Sequence, residues 1–176
     1  MAIKPSLAKN SQLAIQQALR LAGGSGVVAP SAYGEIYWNT PAVPFAQAVT
    51  QAPPGPPDPY LAFNAAGPSN GVTVNPVAGS LTVTNGGLYL VGLNFSHYNS
   101  FNTGLVVAEI LATGVPVPNL AQLHPVIGVG ESQSGHLSLS GLLECEAGTV
   151  ITAQVYGINS GNNLSIAFSN MWVALQ

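Results

Sequence analysis

Charged residues are scarce in this chain of 176 residues. Only 5% of the residues are Asp, Glu, Lys or Arg, whereas about 25% is usual for a soluble domain. Hydrophobic residues make up 47%. With so few charges available to coat a monomer, the composition favours a chain that buries part of its surface against copies of itself or another protein. The alternative is a monomer whose surface is covered by Ser, Thr, Asn and Gln.

The few charges that exist are segregated along the chain. The only basic residues are Lys4, Lys9 and Arg20, while residues 21–176 contain no Lys or Arg and hold all six acids. Because binding to nucleic acid depends on neutralising several phosphates, we predict that the body of the protein does not bind it. The basic N-terminal arm is instead predicted to dock on an acidic protein surface.

The chain has one cysteine and no long apolar run. Cys145 cannot form an intramolecular disulfide, and its place in an alternating pattern predicts a small apolar interior residue. No stretch of 18 or more apolar residues occurs, so we expect no membrane span. The polar residues 9–12 interrupt the N-terminal apolar pattern, and we therefore expect no signal peptide.

Metal-binding patterns are also missing. His97, His124 and His136 show none of the close His or Cys spacings that are typical of metal sites. We therefore interpret each of them as a partly exposed polar residue, and we predict no metal and no cofactor. One alternative remains for a symmetric assembly, in which a single His or Glu beside the axis would be repeated and could hold an ion.

Catalytic patterns are equally weak. The run GESQSG at 130–135 lacks the spacing of a nucleophile elbow and predicts a turn. Cys145 lies between Glu144 and Glu146, whose charges disfavour its thiolate. Those two carboxylates are interpreted as one solvated sheet face rather than as a pair for glycoside hydrolysis. We predict that the protein is not an enzyme.

Two segments precede the body of the chain. Residues 5–21 carry an apolar stripe at helical spacing, begin with Pro5 and are followed by Gly23 and Gly24, so they predict a short α-helix. Residues 22–32 are rich in Gly, Ser and Ala and predict a flexible linker. The predicted domains are therefore an arm at 1–32 and a body at 33–176.

The body contains many short strand signals and no further helix signal. A first strand is predicted at 33–38, and the Pro-rich stretch 41–59 predicts an extended loop with a short edge strand around 45–49. Asn85, Gly86 and Gly87 predict a tight turn between two strands. This spacing predicts a β-sandwich or a barrel. The remaining strands are predicted near 60–63, 71–74, 80–84, 87–96, 104–111, 123–129, 135–143, 149–157 and 164–174.

Three stretches in order resemble a complement C1q/tumour-necrosis-factor-like domain. They are LTVTNGGLYLVGLNFSHYNS with Gly87 and Tyr89, HLSLSGLLECEAGTVITAQV with Gly148 and Val150, and a closing strand that contains Phe168-Ser169. The resemblance implies an all-β fold, a ten-stranded jelly-roll sandwich of two sheets. It also implies a tight homotrimer around a threefold axis that is lined by apolar and aromatic side chains.

A second resemblance concerns residues 31–39, SAYGEIYWN, which are similar to the opening of small phage-encoded jelly rolls. It implies a capsid decoration (cement) or head-fibre protein on a bacteriophage virion, made in the bacterial host cytoplasm. The implied partners are a second and third copy and the major capsid protein or another virion protein, with no nucleic acid and no membrane. The predicted capsid-anchoring residues are Lys4, Leu7, Lys9, Leu13 and Arg20.

A binding module is the alternative function. The loop sequence HYNSFN contains Tyr98 and Phe101, aromatic side chains that could stack on a glycan or contact a receptor. In this interpretation the chain is the tip domain of a phage fibre or of a bacterial surface protein. The same aromatics would also suit packing between subunits.

Overall fold

The computed structural model describes residues 31–38, 45–48, 51–52, 63–99, 103–127, 133–158 and 163–176. The chain divides into Met1–Ser31 and Ala32–Gln176, and the account below concerns the second unit. The predicted helix at 5–21 and the predicted linker lie outside the described residues, so both remain predictions.

The regular elements of the described residues are all β-strands, twelve in number. The predicted all-β class is therefore confirmed. In chain order the strands are β1 Tyr33–Tyr37, β2 Phe45–Ala48, β3 Gln51–Ala52, β4 Ala65–Ala66, β5 Val72–Asn75, β6 Ser80–Val83, β7 Gly87–Asn99, β8 Thr103–Ala112, β9 Val115–Ile127, β10 Gln133–Cys145, β11 Val150–Ile158 and β12 Asn163–Leu175.

The strands form two sheets, which confirms the predicted sandwich. The front sheet has the order β10-β7-β12-β1-β4, and β2 also pairs with β12. The back sheet has the order β5-β6-β11-β8-β9, and β3 also pairs with β11. All pairings are antiparallel except the two-residue contact between β3 and β11. Counting these short strands, each sheet of the described residues has six members, so the total is twelve rather than the ten that the resemblance implied.

The core lies between the sheets and follows from strict alternation along the strands. In β7 the side chains of Tyr89, Val91, Leu93 and Phe95 are all buried, and the residues between them face the other way. A period of two residues is the signature of a strand with one face on a core. The predicted core strand that begins at Gly87 is thus confirmed.

The predicted turn at 85–87 serves a different connection from a hairpin. β6 belongs to the back sheet and β7 to the front sheet, so the chain crosses between sheets here. The Tyr89 hydroxyl donates a hydrogen bond of 2.9 Å to the carbonyl oxygen of Asn85. This bond links the segment that crosses between the sheets to Tyr89, near the start of β7.

One predicted strand begins at a different residue, and another lies mostly outside the described residues. Of the strand predicted near 60–63 only Phe63 is described; it is buried and lies outside any strand, and the short strand β4 begins at Ala65. The strand predicted near 123–129 begins at Val115 instead. Pro116 and Pro118 lowered the strand signal there, but β9 is the edge of the back sheet, where a missing N–H is tolerated.

The connection from β8 to β9 is a two-residue turn. Thr113 and Gly114 have φ values of 50° and 80°, and Ala112 pairs directly with Val115. Successive positive φ values are typical of the tight hairpin turns that match the twist of antiparallel strands.

The turn predicted at 130–135 is wrong at its end. Gln133–Gly135 form the start of β10.

Candidate interaction face of the front sheet

The side chains of the front sheet that point away from the core form one broad surface, here called the front face. It is built by alternate residues of β10, β7, β12 and β1, the parity opposite to that of the core residues. Its described members are His136, Ser138, Ser140, Leu142, Glu144, Leu88, Leu90, Asn94, Ser96, Phe168, Asn170, Trp172, Ala174, Tyr33, Glu35 and Tyr37.

A row of hydrogen bonds crosses four strands of the front face. Ser138 Oγ on β10 donates to Asn94 Oδ1 on β7 at 2.5 Å, and Asn94 Nδ2 donates to Asn170 Oδ1 on β12 at 3.4 Å. Asn170 Nδ2 in turn donates to Glu35 Oε1 on β1. These four residues are called the polar ladder. Every bond in it runs in the same direction, so each donor points toward the Glu35 carboxylate.

Glu35 is the anionic end of the polar ladder. Its pKa is raised by burial of the carboxyl group, and the hydrogen bond from Asn170 opposes part of that rise. The carboxyl group also leans over Gly67, where a Cβ would stand 2.8 Å from Oε2. Since residues 21–176 contain no Lys or Arg, the body of the protein offers Glu35 no lysine or arginine partner.

Apolar side chains lie on both sides of the polar ladder. Leu88, Leu142 and Phe168 are 45%, 50% and 45% exposed. Trp172 is half-buried and lies over Gly92, whose missing side chain makes room for the indole. An exposed apolar patch of this kind usually marks a surface that contacts another molecule.

Two of the three histidines lie in the front sheet, and their side chains are on opposite faces of it. His136 is exposed, as predicted, and its Nδ1 lies 3.2 Å from Ser96 Oγ. The prediction for His97 is wrong because that side chain is only 1% exposed and stacks at a tilt on Phe95, with 5.7 Å between ring centroids. His97 has the parity of the core residues of β7, which was the sequence signal for its burial. The side chain of His124 lies outside the described residues.

The back sheet contains one buried polar pair. Gln154 Nε2 on β11 donates a hydrogen bond to Glu109 Oε1 on β8, directly across the strand pairing. Thr152 is also buried there, and its hydroxyl oxygen has no hydrogen-bond partner among the described residues. Burial raises the pKa of Tyr156, and the neighbouring Glu109 charge adds to the rise. A single carboxylate bonded to an amide provides neither a nucleophile nor an acid–base pair.

Cys145 is buried, which confirms its prediction as a small interior residue. It is 4% exposed, and burial raises the pKa of its thiol. Its thiolate is therefore disfavoured by desolvation rather than by the flanking acids alone. Glu144 and Glu146 are both exposed, but β10 ends at Cys145, so Glu146 lies beyond the strand face predicted for the pair.

The described ranges contain neither a metal-binding cluster nor a membrane-spanning helix. No three His, Cys, Asp or Glu side chains in these ranges are grouped so that they could hold a metal ion. Nor do these ranges contain a helix with the length and apolar character needed to cross a membrane.

The residues proposed from sequence for binding fall mainly outside this description. Phe101 and the five predicted anchoring residues, Lys4, Leu7, Lys9, Leu13 and Arg20, lie outside the described residues. The prediction that Tyr98 lies in a loop is wrong, because its backbone is part of β7, where it pairs with Ser134 and Ser165. The binding roles assigned to all of these residues stay predictions.

Comparison with solved structures agrees with the fold. The chain is similar to the globular domain of zebrafish complement 1qA, with a TM-score of 0.56, 12% identity, and coverage of 82% of this chain and 96% of that one. It is also similar to Eiger TNF from S. frugiperda, with a TM-score of 0.62, 14% identity, and coverage of 84% and 93%. No family model matches the sequence, and no curated protein sequence matches it. The predicted C1q/TNF-like jelly roll is thus confirmed as a fold.

Sequence reasoning missed the polar ladder altogether. Its members come from four strands, and Glu35 and Asn170 are 135 positions apart. The available signal was indirect: Asn94 has the outward parity in β7, and Asn170 has the same parity in β12. Only the register between the strands shows that these side chains meet.

Proposed function

We propose that this protein is a non-enzymatic structural protein that works as a homotrimer through its front face. The observation that carries the proposal is the polar ladder. Polar side chains that already bond to one another can be covered by a neighbouring subunit without leaving buried groups unsatisfied. The exposed apolar side chains around the ladder supply the surface whose burial favours association.

The low charge of the front face supports self-association. Glu35 and Glu144 are its only acidic members, and its described members include no Lys or Arg. Copies of one chain carry charges of the same sign, so a nearly uncharged contact avoids repulsion between them. A trimer is the assembly implied by the family resemblance, and a closed ring of three uses a repeated contact between neighbours.

The oligomeric state is tested by light scattering after size-exclusion chromatography of the full chain. We expect a mass of three copies. Leu142→Lys should yield a monomer, because burying an unpaired ammonium group costs several kcal/mol. Val77→Lys is the matched control, since Val77 is 98% exposed in the β5–β6 turn at the far edge of the back sheet. A wild type that is monomeric at every pH, or equal behaviour of both variants, contradicts the proposal.

The trimer is further proposed to decorate a bacteriophage capsid, held there by the arm at 1–32. Support comes from the charge distribution, which confines every Lys and Arg to the first 20 residues. It also comes from the resemblance of residues 31–39 to phage jelly rolls. An arm that carries all of the cations is suited to an acidic protein surface.

The anchoring role is tested by co-sedimentation with capsids of the phage that encodes the chain. Removing residues 1–30 should leave a trimer that no longer sediments with capsids. Replacing Lys4, Lys9 and Arg20 by Gln in the full chain should weaken binding and reduce its salt dependence. Undiminished capsid binding by the truncated protein would rule out the arm as the anchor.

A further inference from the structure

Glu35 stands apart from the other polar groups of the front face because it alone ends a hydrogen-bonded row with a carboxylate. Asn94 and Asn170 each use an amide N–H to serve the next acceptor, and the row stops at Glu35. An ionised Glu35 accepts the hydrogen bond from Asn170, and its charge is also solvated as long as water reaches the front face. Covering the face removes that water and leaves the charge to be compensated in another way.

A second copy of the same chain cannot supply a Lys or Arg from its body, because residues 21–176 contain neither. Among the described side chains of the front face, only His136 could bring a positive charge to the Glu35 of a neighbour. The carboxyl group can, however, become neutral by binding a proton. A protonated Glu35 still accepts the Asn170 bond through one oxygen and gains an O–H that can donate to an amide or hydroxyl of the neighbour.

Apart from two tyrosines, no titratable side chain is brought to Glu35 by the described elements around it. The flanking positions on its own strand are Tyr33 and Tyr37. The paired segment of β12 has Asn170 and Trp172 beside it, and residues 63–70 on the other side contain no titratable side chain. The front face has only two further titratable groups on β10, His136 and Glu144, and β10 is separated from β1 by β7 and β12.

We infer that Glu35 is a proton-operated switch for self-association, in which the front face closes against neighbouring copies when Glu35 is protonated and loosens when it ionises. The inference rests on the proposed homotrimer. It adds the group that regulates the contact.

The sign of the pH dependence follows from the burial of Glu35. In a free copy, burial already raises the pKa of this carboxyl above its ordinary value, and association removes more water from it. The assembled state therefore binds more protons than the free state. Association should strengthen as the pH falls through the pKa of Glu35 in the assembly and level off below its pKa in the free copy. The limiting slope is about tenfold per pH unit for each copy.

The sign of the pH dependence and the effect of a neutral side chain at position 35 together identify the mechanism. A cation from the arm of a neighbour, such as Lys4, would stabilise ionised Glu35 and would reverse the trend. An ion pair between Glu35 and the His136 of a neighbour would need the Glu35 charge, so a neutral side chain at position 35 would weaken association. Stronger association at low pH that a neutral side chain at position 35 reproduces is therefore specific to a carboxyl group that becomes neutral.

The test is sedimentation velocity of the full chain at several concentrations, between about pH 5 and about pH 8. We expect the wild type to dissociate progressively as the pH rises. Glu35→Gln should remain assembled throughout with the affinity of the low-pH wild type, because Gln keeps the acceptor for Asn170 and carries no charge. Glu144→Gln, which removes the exposed acid at the edge of the same face, is the matched control and should keep the wild-type pH dependence.

The outcomes separate the two proposals. A wild-type trimer whose affinity does not change with pH, or a Glu35→Gln variant that keeps the wild-type pH dependence, would overturn the switch and leave the homotrimer intact. A chain that is monomeric at every pH would overturn both. A pH dependence that disappears in Glu144→Gln, and not in Glu35→Gln, would show that Glu144 controls association and would overturn the assignment to Glu35.

Discussion

The contact between Gly92 and Trp172 leads to a testable prediction. The effect of Gly92→Ala on the free energy of unfolding should depend on whether Trp172 is present. Gly92 lies on β7 directly opposite Trp172 on β12. A Cβ at position 92 would stand 2.4 Å from two carbons of the indole, whereas carbon atoms normally approach to about 3.5–4.0 Å. In Gly92→Ala the ring must therefore move by about 1 Å.

The magnitude follows from two opposing effects. Overpacking of this kind costs about 1–3 kcal/mol, and an Ala in place of Gly within a strand recovers about 0.5–1 kcal/mol. The expected net loss of unfolding free energy in Gly92→Ala is about 0–2.5 kcal/mol. With Trp172→Ala already present the clash is gone, so the same change should stabilise by about 0.5–1 kcal/mol.

The assay is a double-mutant cycle measured by urea unfolding and followed by circular dichroism. All four proteins are compared at several protomer concentrations, because association contributes to the apparent stability and that contribution depends on concentration. The coupling energy between positions 92 and 172 should be about 1–3 kcal/mol. Equal effects of Gly92→Ala in both backgrounds would show that the indole does not depend on the missing Cβ and would refute the reasoning.

Three further predictions concern the core strand, the thiol and one turn. Tyr89→Phe removes the bond to Asn85 but keeps the ring, so urea unfolding should show a loss of about 0.5–1.5 kcal/mol; no loss would mean that water replaces the bond. Cys145 should react with a thiol reagent only after denaturation, since it is buried and its pKa is raised, and rapid labelling of the native protein would contradict its burial. Gly148 has a φ of 87° and no atom within 4 Å of a Cβ, so thermal unfolding of Gly148→Ala should reveal backbone strain of about 1–2 kcal/mol, and Gly148→Asn should lose less.

Much of the fold was predictable because it depends on local pattern. Each local pattern can be read from its own segment of sequence. Examples are the alternation in β7 and β10, Gly87 beside Tyr89, and Gly148. A strand with one buried face imposes a period of two on its own sequence, whichever partner it finds. The same alternation would have placed His97 in the core had its parity been given more weight than its polarity.

The errors arose where the sheet context decided the outcome. Pro116 and Pro118 argue against a strand on propensity alone, yet β9 includes both because it lies at the edge of the back sheet. The Asn85–Gly87 turn has the composition of a hairpin, but its two strands belong to different sheets. Neither fact is contained in the residues of the segment itself.

By itself, the sequence determined that the body of this protein is all-β and contains no Lys or Arg, and that every Lys and Arg is confined to an N-terminal arm. These properties follow from composition or from patterns within short segments, so they can be read without a structure. Only the tertiary structure decided that Ser138, Asn94, Asn170 and Glu35 form one row on the front face. Such a row depends on the register of four strands from distant parts of the chain, and a shift of one residue in any of them would turn its member into the core.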